Sequence, residues 1–275
     1  MAVIAMTREM ATRGSEVAAG LADRLGLSIV HHEIVEHDIA ERTGMPESEV
    51  HRFLEGETSL LERWTIDRKR MSRYTAQEIL ELAAKGNVLI RGWGATYLLK
   101  SVPHVICVRI CAPMPFREKV LIERLGAGIA ANARREIERN DAAHNGTMQR
   151  LFGIDWEDPS LYTIVLNTAR VSVVDCVEQI IRLAETPAFQ ETPKSRNALT
   201  DQLILARVRF AMDRRFGPKS VQNGFDVHVF SGKVLLTGAT TDEQMIVEAV
   251  RLLQGVAGVT GVESKVVHVA FAPND

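Results

Sequence analysis

The chain has 275 residues, of which 46% are hydrophobic and 25% charged, a composition typical of a globular protein with one large or two smaller domains. Its 33 basic and 35 acidic residues leave a formal net charge of −2, which gives no support to a nucleic-acid partner. The three cysteines form no CxxC pair, and no apolar stretch approaches the ~20 residues of a membrane span. The first residues also lack the pattern of a signal peptide, so the sequence predicts a cytoplasmic protein without a transmembrane segment.

The first predicted elements are an apolar strand at 3–6, a small polar turn and a helix at 15–25. This order is typical of a nucleotide phosphate loop, in which backbone N–H groups at a helix N-terminus face an anion. The turn has Ala11 and Arg13 where such a loop has glycines, and it lacks Gly-Lys-Ser/Thr.

A Cβ atom disfavours the left-handed backbone that glycine adopts easily. We therefore expect either a weakened phosphate site or a surface turn without a ligand. The residues predicted to contact the phosphates of a bound cofactor are Arg8, Thr12, Arg13, Gly14 and Ser15.

Further apolar runs at 27–30, 87–90, 104–110 and 162–166 predict four more strands, and amphipathic segments between and after them predict helices, among them one at 33–42 and the last at 173–185. Strands that alternate with helices indicate a parallel five-stranded sheet with helices on both faces. Because GxGxxG is absent from the first turn, a dinucleotide oxidoreductase is disfavoured. The histidine-rich segment 31–37 lacks the HExxH spacing, so no metal site is predicted.

Residues 186–197, TPAFQETPKSRN, contain two prolines and no apolar periodicity. They predict a linker between a domain at 1–185 and a second one at 198–272. The second domain has the predicted order αββαβ, with helices at 199–215 and 242–254 and strands at 226–230, 234–237 and 262–269. The pattern is typical of a small α+β domain.

Four stretches of the first domain resemble one known family. They are Thr7-Arg8-Glu9 with the turn that follows, Val88–Ala95 (VLIRGWGA), Arg109–Pro113 with Arg117, and Phe152–Thr168 (FGIDWEDPSLYTIVLNT). In this order and spacing they resemble the cytidylate kinase-like family, a branch of the nucleoside monophosphate kinases. The resemblance covers about residues 1–185 and implies a P-loop kinase-type sheet with strand order 2-3-1-4-5.

The resemblance also implies an activity, the transfer of the ATP γ-phosphate to a nucleoside monophosphate such as CMP, with ATP and Mg²⁺ as cofactors. The residues it implies for substrate binding are Arg91, Gly92 and Gly94, and those for catalysis are Arg117, Arg139 and Asp141. Trp93 and His144 stand where the family has arginines. Since arginines supply much of the rate in phosphoryl transfer, these departures predict weak or absent kinase activity.

The tail resembles a BON domain through the hairpin pattern VxVxxGxVxLxG that begins at Val227. This resemblance implies binding to a phospholipid surface or to a partner protein. It leaves a second function open, that of a non-catalytic regulatory or scaffold protein. The acceptor nucleotide and the oligomeric state are not determined by the sequence.

Overall fold

The computed structural model describes residues 2–30, 37, 40, 46–54, 68–92, 94–217 and 224–269. The chain divides into two compact units, Met1–Thr192 and Pro193–Asp275. The second unit begins within the segment predicted as a linker. Its first helix starts at Pro193, six residues before the predicted start, and proline is well tolerated in the first turn of a helix.

The sheet of the first unit confirms the predicted fold class. Its described strands are β1 (Val3–Arg8), β2 (Ser28–Val30), β3 (Val88–Arg91), β4 (Val105–Cys111) and β5 (Ile164–Asn167). All neighbouring pairs are parallel, and the order is β2-β3-β1-β4-β5, as predicted.

Helices connect these strands. The described ones are α1 (Gly14–Leu25), α2 (Glu47–Leu54), α3 (Arg68–Lys85), α4 (Ala95–Leu99), α5 (Met114–Leu125), α6 (Ala133–Phe152) and α7 (Val173–Glu185). Most of the predicted helix at 33–42 lies outside the described residues.

The central strand β1 is buried at every position from Val3 to Thr7. Ile4 and Met6 pack in a core cluster with apolar residues of α1 and α7. Because side chains alternate across a strand, Val3 and Ala5 point to the opposite face, which is therefore covered as well. This explains why the strands read as unbroken apolar runs in the sequence.

In a parallel sheet, all strands end at the same edge. Arg8, Arg91, Cys111 and Asn167 are the last residues of β1, β3, β4 and β5. The loops that follow these residues converge there, which is where open α/β sheets bind their ligands.

The second unit contains α8 (Pro193–Phe216), β6 (Asp226–Phe230), β7 (Lys233–Thr240), α9 (Glu243–Gln254) and β8 (Gly261–His268). β6 and β7 form an antiparallel hairpin, and β8 pairs parallel to β7. Asp201 on α8 accepts hydrogen bonds from the backbone N–H groups of Ser231 and Gly232, both 2.8 Å long, and so fixes the hairpin turn. The predicted αββαβ order is confirmed.

Candidate phosphate site

The loop between β1 and α1 has a backbone conformation that glycines normally provide. Ala11 has a φ of 60° and Arg13 a φ of 57°, both in the left-handed region. A Cβ atom disfavours this region, yet both residues adopt it. The conformation costs roughly 1–2 kcal/mol for each non-glycine residue, so other contacts must hold it.

Two hydrogen bonds from outside the loop provide such contacts. The Arg117 Nε–H donates to the carbonyl of Met10 over 2.8 Å, and the Thr168 hydroxyl donates to the carbonyl of Thr12 over 2.7 Å. Both donors belong to buried residues. The loop is therefore fixed in shape by residues that are far away in the sequence.

Most backbone N–H groups of the loop have no hydrogen-bond acceptor among the described residues. The N–H of Glu9 donates to Ile110, and those of Glu16 and Val17 donate to the carbonyl of Arg13. Within the part of the chain that the structure describes, the N–H groups of residues 10–15 donate to no acceptor. Successive N–H groups of this kind, at the start of a helix, form a concave binding site for an anion.

The side chains predicted to contact phosphate differ in their placement. The Thr12 hydroxyl donates to the carbonyl of Glu9 over 2.8 Å, so it supports the loop. Arg13 forms an exposed pair with Glu123 on α5 at 3.3 Å. Ser15 is exposed at the start of α1. At Gly14, a Cβ would lie 2.9 Å from both Cβ and Cδ of Arg8, so the close approach of Arg8 to the helix requires glycine.

Arg8 places a positive charge beside this helix start. Burial, and then the nearby charges of Arg91 and Arg124, lower the pKa of its guanidinium to about 10. Among the described residues, no carboxylate or carbonyl accepts a hydrogen bond from it. A guanidinium that is half-buried among like charges favours an anion as its partner.

Glu9 and Arg109 form an ion pair that the sequence did not indicate. Glu9 accepts a 2.7 Å hydrogen bond from Arg109 Nη2 and a 3.0 Å hydrogen bond from the N–H of Ala112. The other Nη of Arg109 donates to the carbonyl of Trp156 over 2.7 Å. These contacts tie the loop after β1 to the end of β4. Residues 100 positions apart share no periodic pattern from which this pair could have been predicted.

The predicted catalytic residues Arg117 and Asp141 lie together. Arg117 donates two hydrogen bonds to the Asp141 carboxylate, 2.8 Å from Nη1 and 2.7 Å from Nη2, and its side chain is only 5% exposed. Because its Nε–H also donates to Met10, this guanidinium is directed at protein groups. Arg139, the third residue of the predicted set, is exposed on α6.

His144, predicted from the sequence to stand at an arginine position of the family, packs on Trp156 with the two ring centroids 4.2 Å apart. Burial, followed by the charges of Arg109 and Arg8, lowers the pKa of His144 to about 4. The imidazole is therefore neutral near pH 7 and supplies no positive charge to the site.

At the end of β3, Arg91 lies opposite Met6 of β1. The N–H of Gly92 donates to the Met6 carbonyl over 3.0 Å. Gly94 has a φ of 71° at the start of α4, and a Cβ there would overlap the ring of Phe152. These predicted substrate-binding residues therefore lie at the same sheet edge as the phosphate loop. Trp93 lies outside the described residues.

The described residues contain no group of three or more His, Cys, Asp or Glu side chains placed to hold a metal ion. Glu9 and Asp141, the carboxylates near the loop, both face guanidiniums. Because protein groups already occupy both carboxylates, a Mg²⁺ ion at this site would take its ligands chiefly from substrate phosphates and from water. Residues 31–36 of the histidine-rich segment lie outside the described part of the chain.

None of the described helices is long and apolar enough to cross a membrane.

A parallel sheet of order β2-β3-β1-β4-β5, with a turn after β1 whose N–H groups have no acceptor among the described residues, is the fold of a P-loop kinase-type domain. Comparison with family models gives the same result in more detail. Residues 3–170 match the cytidylate kinase-like family, and residues 200–270 match the BON domain. The chain belongs to the cytidylate kinase-like family and carries a BON domain after it.

Curated relatives include cytidylate kinases from archaea. The enzyme of Pyrobaculum aerophilum is 27% identical over 177 residues, which cover 64% of this chain and 89% of the relative. The enzyme of Methanopyrus kandleri is 27% identical over 183 residues, which cover 63% of this chain and 88% of the relative. Among solved structures, an uncharacterized protein from Eubacterium ventriosum matches with a TM-score of 0.49 and 19% identity, covering 67% of this chain and 98% of that one.

Proposed function

We propose that the first unit binds a nucleotide through its phosphates at the loop of residues 10–15, and that phosphoryl transfer to a nucleoside monophosphate such as CMP is weak or lost. ATP is the nucleotide we propose, since the archaeal relatives are named cytidylate kinases. Binding and transfer make different demands on the protein, and the described residues meet only the first.

One observation carries the binding proposal. The N–H groups of residues 10–15 are without acceptors in the described structure, in a loop held rigid by buried donors. Such a site needs no rearrangement before an anion binds, and preorganised N–H groups are effective phosphate ligands. Arg8 adds the nearest positive charge that the anion would neutralise.

Transfer needs positive charges directed at the phosphoryl group that moves. Arg117 is directed at Asp141 and Met10, and His144 is neutral near pH 7. The residue immediately after Gly14 is Ser15, where a phosphate loop normally has a lysine. Loss of one transition-state arginine reduces the rate of phosphoryl transfer by ~10³-fold or more, so we expect turnover far below that of an active kinase.

These same contacts favour a second candidate, a non-catalytic regulatory or scaffold protein in which the first unit senses a nucleotide. In this case the second unit would carry the contact to a phospholipid surface or to a protein partner. Turnover above the rate without enzyme would exclude the second candidate, which predicts none.

The test is isothermal titration of the full chain with ATP–Mg²⁺ and with CMP, followed by an ADP-release assay on the same sample. We expect ATP to bind and ADP release to stay near the rate without enzyme. Gly14→Ala should weaken ATP binding about tenfold or more, because its Cβ displaces Arg8 from the helix start. The matched control is Gly261→Ala at the start of β8, where φ is not positive and a Cβ meets nothing within 4 Å. Absence of ATP binding in the unmodified chain would refute the proposal.

A further inference from the structure

The hydrogen bonds from Arg117 and Thr168 hold two peptide units of the loop. The Met10 carbonyl, which accepts from Arg117, belongs to the peptide that precedes Ala11. The Thr12 carbonyl, which accepts from Thr168, belongs to the peptide that precedes Arg13. Ala11 and Arg13 are the two left-handed non-glycine residues of the loop. Each of them therefore follows a peptide whose carbonyl is held in place.

The orientation of these peptides determines where their N–H groups point. In a trans peptide, the C=O and N–H bonds point in opposite directions, and the described chain contains no cis peptide. With both carbonyls directed at Arg117 and Thr168, the N–H groups of Ala11 and Arg13 are directed away from these donors. Both are among the N–H groups that donate to no acceptor in the described structure.

We propose that Arg117 and Thr168 are positioning residues that hold the phosphate loop in the shape which glycines give it in other chains. This inference rests on the proposed function, because the shape matters only if the loop binds an anion. It assigns Arg117 a role in binding geometry, in place of the catalytic role that the sequence predicted, and it assigns a role to Thr168, which the sequence did not single out.

The two donors are themselves fixed by the fold. Arg117 is held by its paired hydrogen bonds to Asp141, and the N–H of Thr168 donates to the carbonyl of Cys111 over 3.1 Å at the end of β4. A donor that cannot move can fix the peptide to which it donates. The strain of one left-handed residue is similar in size to the net gain from one buried hydrogen bond, so one anchor for each such residue is sufficient.

A double-mutant cycle in the full chain tests the inference. Thr168→Val removes the hydroxyl with little change in volume, and Arg13→Gly removes the strain that the hydroxyl offsets. We expect Thr168→Val to weaken ATP binding about tenfold in the unmodified chain and about twofold or less in the Arg13→Gly background. Thr168→Ser, which keeps the hydroxyl, should restore most of the affinity.

Ala11→Gly is the matched control background. The peptide before Ala11 is held by Arg117, so the effect of Thr168→Val on ATP binding should keep its full size there. An effect of equal size in the Arg13→Gly background would overturn the inference, since Thr168 would then act without regard to the strain at Arg13.

The same cycle can be measured without a ligand. The three tryptophans, Trp64, Trp93 and Trp156, all lie in the first unit, so tryptophan fluorescence during urea unfolding follows that unit alone. If ATP does not bind, the proposed function fails, but the urea midpoints still decide the inference. Coupling between Thr168→Val and Arg13→Gly supports it, and additive effects overturn it. If Thr168→Val does not fold, recovery of folding by Arg13→Gly supports the inference and continued misfolding overturns it.

Discussion

Arg117 on α5 and Asp141 on α6 form a paired ion bridge, with hydrogen bonds of 2.8 and 2.7 Å, while the same guanidinium holds the Met10 carbonyl in the loop after β1. One side chain thus connects two helices and the phosphate loop. These contacts support the positioning role that we propose for Arg117.

Asp141→Asn should destabilise the first unit by roughly 3 kcal/mol, because it leaves most of a buried guanidinium charge without its partner. Tryptophan fluorescence during urea unfolding measures the change. Glu123→Gln is the matched control, since it removes one partner of an exposed pair whose side chains are 40% and 48% accessible. Its effect should stay within about 1 kcal/mol. Equal effects would show that the Arg117–Asp141 pair is no more important than a surface pair.

Arg8→Met should stabilise the empty protein by on the order of 1 kcal/mol and yet weaken ATP binding about tenfold. Arg8 is half-buried beside Arg91 and Arg124, so removing its charge relieves repulsion and desolvation. The same charge is available to a phosphate, which explains the opposite effect on binding. Thermal unfolding and ATP titration measure the two changes. Arg24→Met, at an exposed arginine paired with Glu178, is the control and should leave affinity unchanged. A variant that loses stability as well as affinity would contradict this account of Arg8.

The sheet could be predicted from the sequence because its strands are buried on both faces and read as apolar runs. The phosphate loop could be located for a similar reason, since it follows the first of these runs. Its backbone could not be predicted, because the hydrogen bonds that hold Ala11 and Arg13 come from Arg117 and Thr168. Local preference disfavours the left-handed conformation at both residues, and here tertiary contacts outweigh it.

His144 gives the first unit a specific dependence on pH. The unfolded chain takes up a proton at this imidazole near pH 6.5, whereas the folded chain does so only near pH 4. The unfolded state therefore binds more protons between these values, and the free energy of unfolding falls as the pH is lowered, by up to about 3 kcal/mol. His144→Gln should remove this part of the pH dependence, with His228→Gln in the second unit as the control for losing one histidine. An unchanged slope between pH 6.5 and 4 in His144→Gln would contradict the assignment.

Gly94→Ala should destabilise the first unit more than Gly92→Ala. Both residues have positive φ values, 71° and 86°, so both substitutions introduce roughly 1–2 kcal/mol of backbone strain. Only at Gly94 does the added Cβ also overlap the Phe152 ring, whereas at Gly92 it meets nothing within 4 Å. The difference between the two urea midpoints measures the overlap alone. Equal midpoints would mean that α4 does not pack as closely on Phe152 as the structure shows.

The roles of some site residues could not be predicted from the sequence, and these residues share a physical cause. Arginine and aspartate are common catalytic residue types, but the roles of Arg117 and Asp141 depend on which groups they contact. Arg117 and Asp141 are 24 residues apart in the sequence, and Arg117 and Met10 are 107 residues apart. Likewise, Glu9 could be placed in the first turn from the sequence, but its link to Arg109 follows only from the pairing of β1 with β4. Residue type and spacing therefore indicated the family, while the use of each charge required the fold.

The most direct test of the central claim is an amide NMR titration of the full chain with ATP, observing the N–H groups of residues 10–15. The account predicts saturable shifts at Ala11, Thr12, Arg13 and Gly14, with a dissociation constant below about 1 mM and with shifts lost in Gly14→Ala. Shifts at other amides with none in this loop, or no shifts at all, would contradict it.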